Sequence, residues 1–180
     1  MNNINETASM PSSVSATISN GRVRDINQVL EQENDPAEIF FEITNHLKDK
    51  YEIGKSVLIL KQEDSSLSAI STWANGQKRD GLSLSLPPAK SLFEKVIEDG
   101  NLYTESFSDS FSGNFFEQKL LLEPLTKSFA LKPLKFEGEV IGLVGFSSQN
   151  PTAFAMLEEG DSDALLDRFA SKLVKKKRTA

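Results

Sequence analysis

Two apolar segments, residues 127–136 and 140–146, are separated by Glu137-Gly138-Glu139, and no other pair in the chain constrains the fold as strongly. A short charged turn holding one glycine between two such runs reads as a β-hairpin, so the fold must contain an antiparallel sheet. Gly142 and Gly145 sit inside the second strand. They weaken it locally, and they also let a ligand or another backbone come close.

Helical patterns flank this hairpin. Asp35-Pro36-Ala37-Glu38 reads as a helix start, with Asp35 as N-cap, Pro36 in the first turn and Glu38 completing a capping box. Ile39, Ile43 and Leu47 then lie on one line and Phe40, Leu47 and Tyr51 on another, which predicts an amphipathic helix to about Tyr51, closed by Gly54. Residues 57–60 form a short apolar run expected as a central strand, and residues 67–73 alternate and return as its hairpin partner. Asn75-Gly76 marks a turn, after which Leu82, Leu84 and Leu86 alternate with serines, as in a strand buried on one face. Pro87-Pro88 launches a helix on Leu92, Phe93, Val96 and Ile97, with Gly100 at its end. Leu102-Tyr103-Thr104 is a short strand, the segment up to Leu122 a short helix, and Leu165, Leu166, Phe169, Leu173 and Val174 share one face of a last helix.

Residues 1–24 hold no aromatic residue and are rich in Ser, Asn and Thr, so disorder is expected there. An ordered domain over residues 25–176 and a basic tail over 177–180 complete the division. With no cysteine, the chain can form no disulfide, thiolate nucleophile or cysteine-ligated metal site. The N-terminus lacks the basic start and apolar run of a secretory signal, and no stretch approaches a membrane span, so a cytoplasmic protein is expected. A net charge of −6 argues against nucleic acid as a partner.

The order helix, hairpin, strand, helix, short strand, irregular helical segment, hairpin and helix resembles the GAF family. Ser91-Leu92-Phe93-Glu94-Lys95-Val96-Ile97-Glu98-Asp99-Gly100-Asn101-Leu102-Tyr103 is similar to that family's helix, glycine and strand before its binding loop. Residues 127–143, with Ser128 opening the strand, Pro133-Leu134 ending it and Val140-Ile141-Gly142 after the turn, are similar to its penultimate hairpin, and residues 164–170 to its closing helix. The resemblance spans about residues 25–175. A PAS or profilin-like sheet with the same flanking helices is the alternative. The resemblance implies an α+β fold: a central antiparallel sheet of five to six strands, the terminal helices on one face and a short helix and loop cover on the other. Bilin attachment and free-methionine-sulfoxide reduction in the family use cysteine, which this chain lacks. Cyclic-nucleotide binders carry Asn-Lys where Ser148-Gln149 stands here, although Phe154 is followed by Glu158-Glu159.

Other motifs have plain structural readings. Gly54-Lys55-Ser56 mimics the end of a phosphate-binding loop, but Asp49 stands where that loop needs glycine. His46 is the only histidine and lies mid-helix. The acids Glu158, Glu159, Asp161 and Asp163 suit a helix N-terminus better than a calcium loop, and the basic C-terminal end suits a helix C-terminus. No cofactor and no metal are expected.

The resembled fold gathers a candidate pocket under the cover, lined by Trp73, Phe93, Phe107, Phe111, Phe115, Phe116, Ser128 and Phe129, with Asp109, Asn114 and Lys127 to orient a planar or apolar ligand. The alternative is that these phenylalanines plug the core beneath a loop. Two functions follow. One is a non-enzymatic sensory domain that binds a small molecule and signals through a partner protein. The other is a ligand-free dimerisation or interaction module. Phe40, Phe41 and Tyr51 exceed what one apolar stripe needs, so a homodimer through the first and last helices is expected.

Overall fold

The computed structural model describes residues 18–19, 22–79, 84–106, 110–157 and 161–179. Most of the segment expected to be disordered, residues 1–17 and 20–21, lies outside that description. Ile18–Ser19 (β1) pairs antiparallel with Arg22–Val23 (β2). Ile26–Gln32 (α1) and Pro36–Leu47 (α2) follow, each capped by an aspartate. Asp25 accepts from the Asn27 N–H at 2.7 Å and Asp35 from the Ala37 N–H at 3.1 Å. Glu38 does not complete the expected capping box. The Asp35 N–H donates to Glu33 Oε1 at 3.1 Å instead, and Glu38 pairs with Lys78. α2 also stops at Leu47 and not near Tyr51. The chain must reverse there into the sheet, through a turn with Glu52 at φ 50°, which makes Gly54 a strand residue.

Ile53–Lys61 (β3), Leu67–Ala74 (β4), Gln77–Arg79 (β5) and Leu84–Ser85 (β6) come next. Leu92–Asp99 (α3), Tyr103–Ser106 (β7) and Phe115–Leu121 (α4) precede the long hairpin Ser128–Phe136 (β8) and Glu139–Ser148 (β9). Asp161–Thr179 (α5) closes the chain and runs into the segment expected as a basic tail. β1 and β2 make a sheet of their own, and the other strands form one antiparallel sheet in the order β5-β4-β3-β9-β8-β7, with β6 beside β4. Positive φ at Asn75 and Gly76, and again at Glu137 and Gly138, makes two tight turns that fold β5 onto β4 and β9 onto β8.

Each face of the sheet has its own core. Phe40, Ile43, Phe146 and Phe169 belong to the core under α1, α2 and α5. Phe93, Leu121, Phe129 and Leu143 belong to the core under α3 and α4. The two strand glycines serve this packing. A Cβ on Gly142 would run into the Ile59 carbonyl oxygen of the neighbouring strand, and one on Gly145 would lie 2.9 Å from Leu121 Cδ1. The expected row Leu82, Leu84 and Leu86 is not buried as one face. Leu82 lies outside the described residues, Leu86 is buried, and Leu84 is 52% exposed because β6 is only two residues long.

Among the described residues, no helix is long and apolar enough to cross a membrane.

Candidate functional site

One buried carboxylate joins the two helices of the cover. Ser91 caps α3, accepting from the Glu94 N–H at 3.0 Å. Asn114 caps α4, accepting from the Glu117 N–H at 3.0 Å, and Glu117 returns the bond by accepting from the Asn114 N–H at 3.1 Å. The same carboxylate reaches across to α3. Its Oε1 accepts from the Leu92 N–H at 2.8 Å, and its Oε2 accepts from the Phe93 N–H at 3.0 Å and from the Ser91 hydroxyl. Glu117 is fully buried. An acidic group there satisfies N–H groups left free at a helix start and complements the positive end of the α3 dipole. The pattern Asn-x-x-Glu at 114–117 is a visible capping-box signal, but nothing local to it reveals the second helix.

The expected pocket residues separate into several environments. Phe93 and Phe129 are buried together. Phe111 packs edge-on against Phe129 at 5.4 Å between ring centroids, and Tyr103 stacks on it at 6.0 Å. These rings pack in the core under α3 and α4. Asn114 is committed to the α4 cap and also donates to the Pro87 and Ala89 carbonyls, both at 3.2 Å. Ser128 is buried and donates to the Asn150 carbonyl at 2.6 Å, beside a shallow cleft of about 220 Å³ that Phe129 also lines. Phe115 and Phe116 are 64% and 55% exposed and pack edge-on at 6.1 Å, with the Lys119 ammonium 5.3 Å from the Phe115 ring. Lys127 is exposed. Phe107 and Asp109 lie outside the described residues.

Trp73 is on the opposite face of the sheet. It is buried in the core under α2 and α5, and its Nε1 has no hydrogen-bond partner among the described residues. The cause is a one-residue bulge. β4 pairs Leu58 with Ser71 but Ile59 with Ala69, leaving Ile70 as the extra residue. Leu67 and Ala69 therefore face α3 and α4, whereas Trp73 faces α2. Strict alternation from Leu67 would have put all three on one side.

Other candidates resolve similarly. His46 is exposed on α2, and no group of His, Cys, Asp or Glu among the described residues could hold a metal ion. Asp163 pairs with Lys132 at 2.6 Å. A groove of about 550 Å³ opens on the α2/α5 side, where Leu60, Ile70, Ile141 and Val174 are only partly covered.

No family model and no curated protein matches the sequence. Solved structures do match. The GAF domain of a phosphoenolpyruvate-protein phosphotransferase from Coxiella burnetii agrees with a TM-score of 0.66 at 16% identity, over 86% of this chain and 91% of that one. The GAF domain of a two-component sensor histidine kinase from Bacillus halodurans agrees at 0.56 and 18%, over 76% and 95%. A free methionine-R-sulfoxide reductase from Neisseria meningitidis, solved with its substrate, agrees at 0.57 and 15%, over 100% of both chains. The neighbours thus include a sensor domain and an enzyme, and what they share with this chain is the fold. The chain has a GAF-like fold.

Proposed function

We propose that the chain is a non-catalytic sensory or regulatory domain of the cytoplasm that reads a small molecule on the α3/α4 face and signals through a partner protein. One observation carries this reading: the two faces of the sheet are fastened differently. α2 and α5 sit on a broad apolar core, whereas the seven-residue α4 is tied to α3 through the Glu117 carboxylate and keeps two exposed phenylalanines. A short cover, anchored in the core by Leu121 and joined to α3 by one polar junction, is the element that a ligand can shift at least cost, and a ligand moves such an equilibrium only by binding one arrangement better. The absence of cysteine supports a role apart from the cysteine chemistry of the reductases. We place a homodimer contact on the α2/α5 groove, whose partly covered apolar side chains suit a second copy. Neither nucleic acid nor membrane enters this reading.

A second reading, a ligand-free interaction module, is favoured by the packing of Phe93, Phe111 and Phe129. Native mass spectrometry of the purified protein, before and after denaturation, separates the two and reports the oligomeric state. A retained small molecule released on denaturation is the expected result. A bare dimer mass in the native spectrum, with no small molecule released on denaturation, would favour the interaction module.

A further inference from the structure

A cleft of about 430 Å³ lies at the open edge of the α4 face, where β3, β4 and β5 pass beside the end of α4. Val57, Thr72 and Arg79 pair in one row across these strands, and Lys55 and Ala74 pair in the next row on the same face. Val57 belongs to the core under α3 and α4, so Lys55 and Arg79 also point to that side. The intervening row, Ser56, Trp73 and Lys78, points the other way, and Lys78 accordingly meets Glu38 of α2. From above, α4 brings Lys119 and Leu120 to the same cleft. Three cationic residues from distant parts of the sequence therefore line one cleft in a chain whose net charge is −6, with the Lys119 ammonium resting near the Phe115 ring beside it.

The grouping is electrostatically costly as it stands. Lys55 is half-buried and donates to the Lys119 carbonyl at 2.7 Å. Burial pushes its ammonium below the usual lysine range; Glu123 opposes this, while Arg79 and Lys119 push the same way. Among the described lining residues Glu123 is the single acid. The Arg79 guanidinium is exposed and forms no ion pair with a described residue, which leaves its planar donor fork open. Beside these groups Leu84 is exposed and Leu120 partly so. We propose that this cleft binds a small oxyanion, a carboxylate or a phosphate, with Lys55, Arg79 and Lys119 around the anionic group and Leu84 and Leu120 against its apolar remainder. The site rests on the reading of the chain as a ligand-binding module, and it lies directly against α4, so occupancy there bears on the cover. A neutral planar ligand under the phenylalanines is not needed for it.

Isothermal titration calorimetry at constant ionic strength tests the site, with inorganic phosphate and butyrate as the probes. Saturable one-site binding of at least one probe is expected. Phosphate alone assigns a phosphate group, and butyrate alone assigns a carboxylate with an apolar tail. Arg79→Gln and Lys119→Gln should each weaken binding about tenfold, the loss of one charge-assisted hydrogen bond. Both positions are exposed, so neither change should unfold the domain, and Lys95→Gln on the surface of α3 should bind as the wild type does. No saturable heat with either probe, or unchanged affinity in both cleft variants, overturns the proposal. A neutral molecule retained in native mass spectrometry together with a silent titration would overturn the anion site and leave the sensory reading standing.

Discussion

Replacing Glu117 by Gln keeps the shape of the side chain and removes half of its accepting capacity. Its two oxygens take four donors: the N–H groups of Leu92 and Asn114 on Oε1, and the Phe93 N–H and Ser91 hydroxyl on Oε2. In Glu117→Gln the amide oxygen can keep one pair. With the amide nitrogen at Oε2, the Ser91 hydroxyl can turn and accept, but the Phe93 N–H faces another donor in a fully buried site. One orphaned buried donor costs about 1–3 kcal/mol, and the lost anion at the start of α3 about 1 kcal/mol more. The total is about 3 kcal/mol, which lowers the melting temperature of a chain this size by roughly 6–12 °C. Urea denaturation with an unchanged m-value measures it, and Ser91→Ala in a double-mutant cycle should show coupling between the two side chains. If Glu117→Gln unfolds at the wild-type urea midpoint, the carboxylate does not hold the cover, and the argument for a movable α4 fails with it.

Gly142→Ala should cost about 1–3 kcal/mol in urea denaturation, because β9 is paired on both sides and cannot withdraw the new methyl from the Ile59 carbonyl; wild-type stability would contradict the packing. Phe93→Ala should cost about 3–5 kcal/mol and Phe116→Ala under about 1 kcal/mol, since one ring is buried and the other 55% exposed; equal losses in thermal melts would place Phe116 in the core. Glu33 is held below its ordinary value of 4.5, first by the Asp35 N–H, with burial opposing, and then by the Asn34 N–H and Arg24. A depressed carboxyl adds stability above its unfolded value and loses it as pH falls through the folded one. The gap in urea midpoint between wild type and Glu33→Gln should therefore be present near neutral pH and close in acid; a gap that persists in acid would point to a cause other than charge.

Local chemistry was readable without a fold. The Asp35-Pro36 start of α2, the Leu92–Ile97 core line of α3 with Gly100 behind it, and the Glu137-Gly138 turn between β8 and β9 all formed where expected. Caps, turns and helical spacing act over a few residues, so the sequence carries their signal whole. Where a local rule had two solutions, the expected one did not form. Asp35 could take its reciprocal bond from Glu38 or from Glu33, and the structure uses Glu33 because Glu38 is drawn to Lys78 across the sheet edge.

The candidate site depended on such distant choices. The resembled fold placed Trp73 beside Phe93 and Phe129, but one unpaired residue, Ile70, inverts every side chain of β4 that follows it. A bulge depends on how two strands register, and the strand's own residues do not display it. The same holds for the polar groups. Asn114 looked free to meet a ligand, yet the approach of α4 to α3 commits it, and its partner Glu117, to joining the two helices. The sequence alone determined most of the elements, the Asp35 start of α2, the Gly100 end of α3 and the likeness to a GAF fold, because short-range geometry encodes them. Only the tertiary structure decided which sheet face each aromatic joined and that Lys55, Arg79 and Lys119 share one cleft, because strand register and helix docking are set by contacts between residues far apart in the chain.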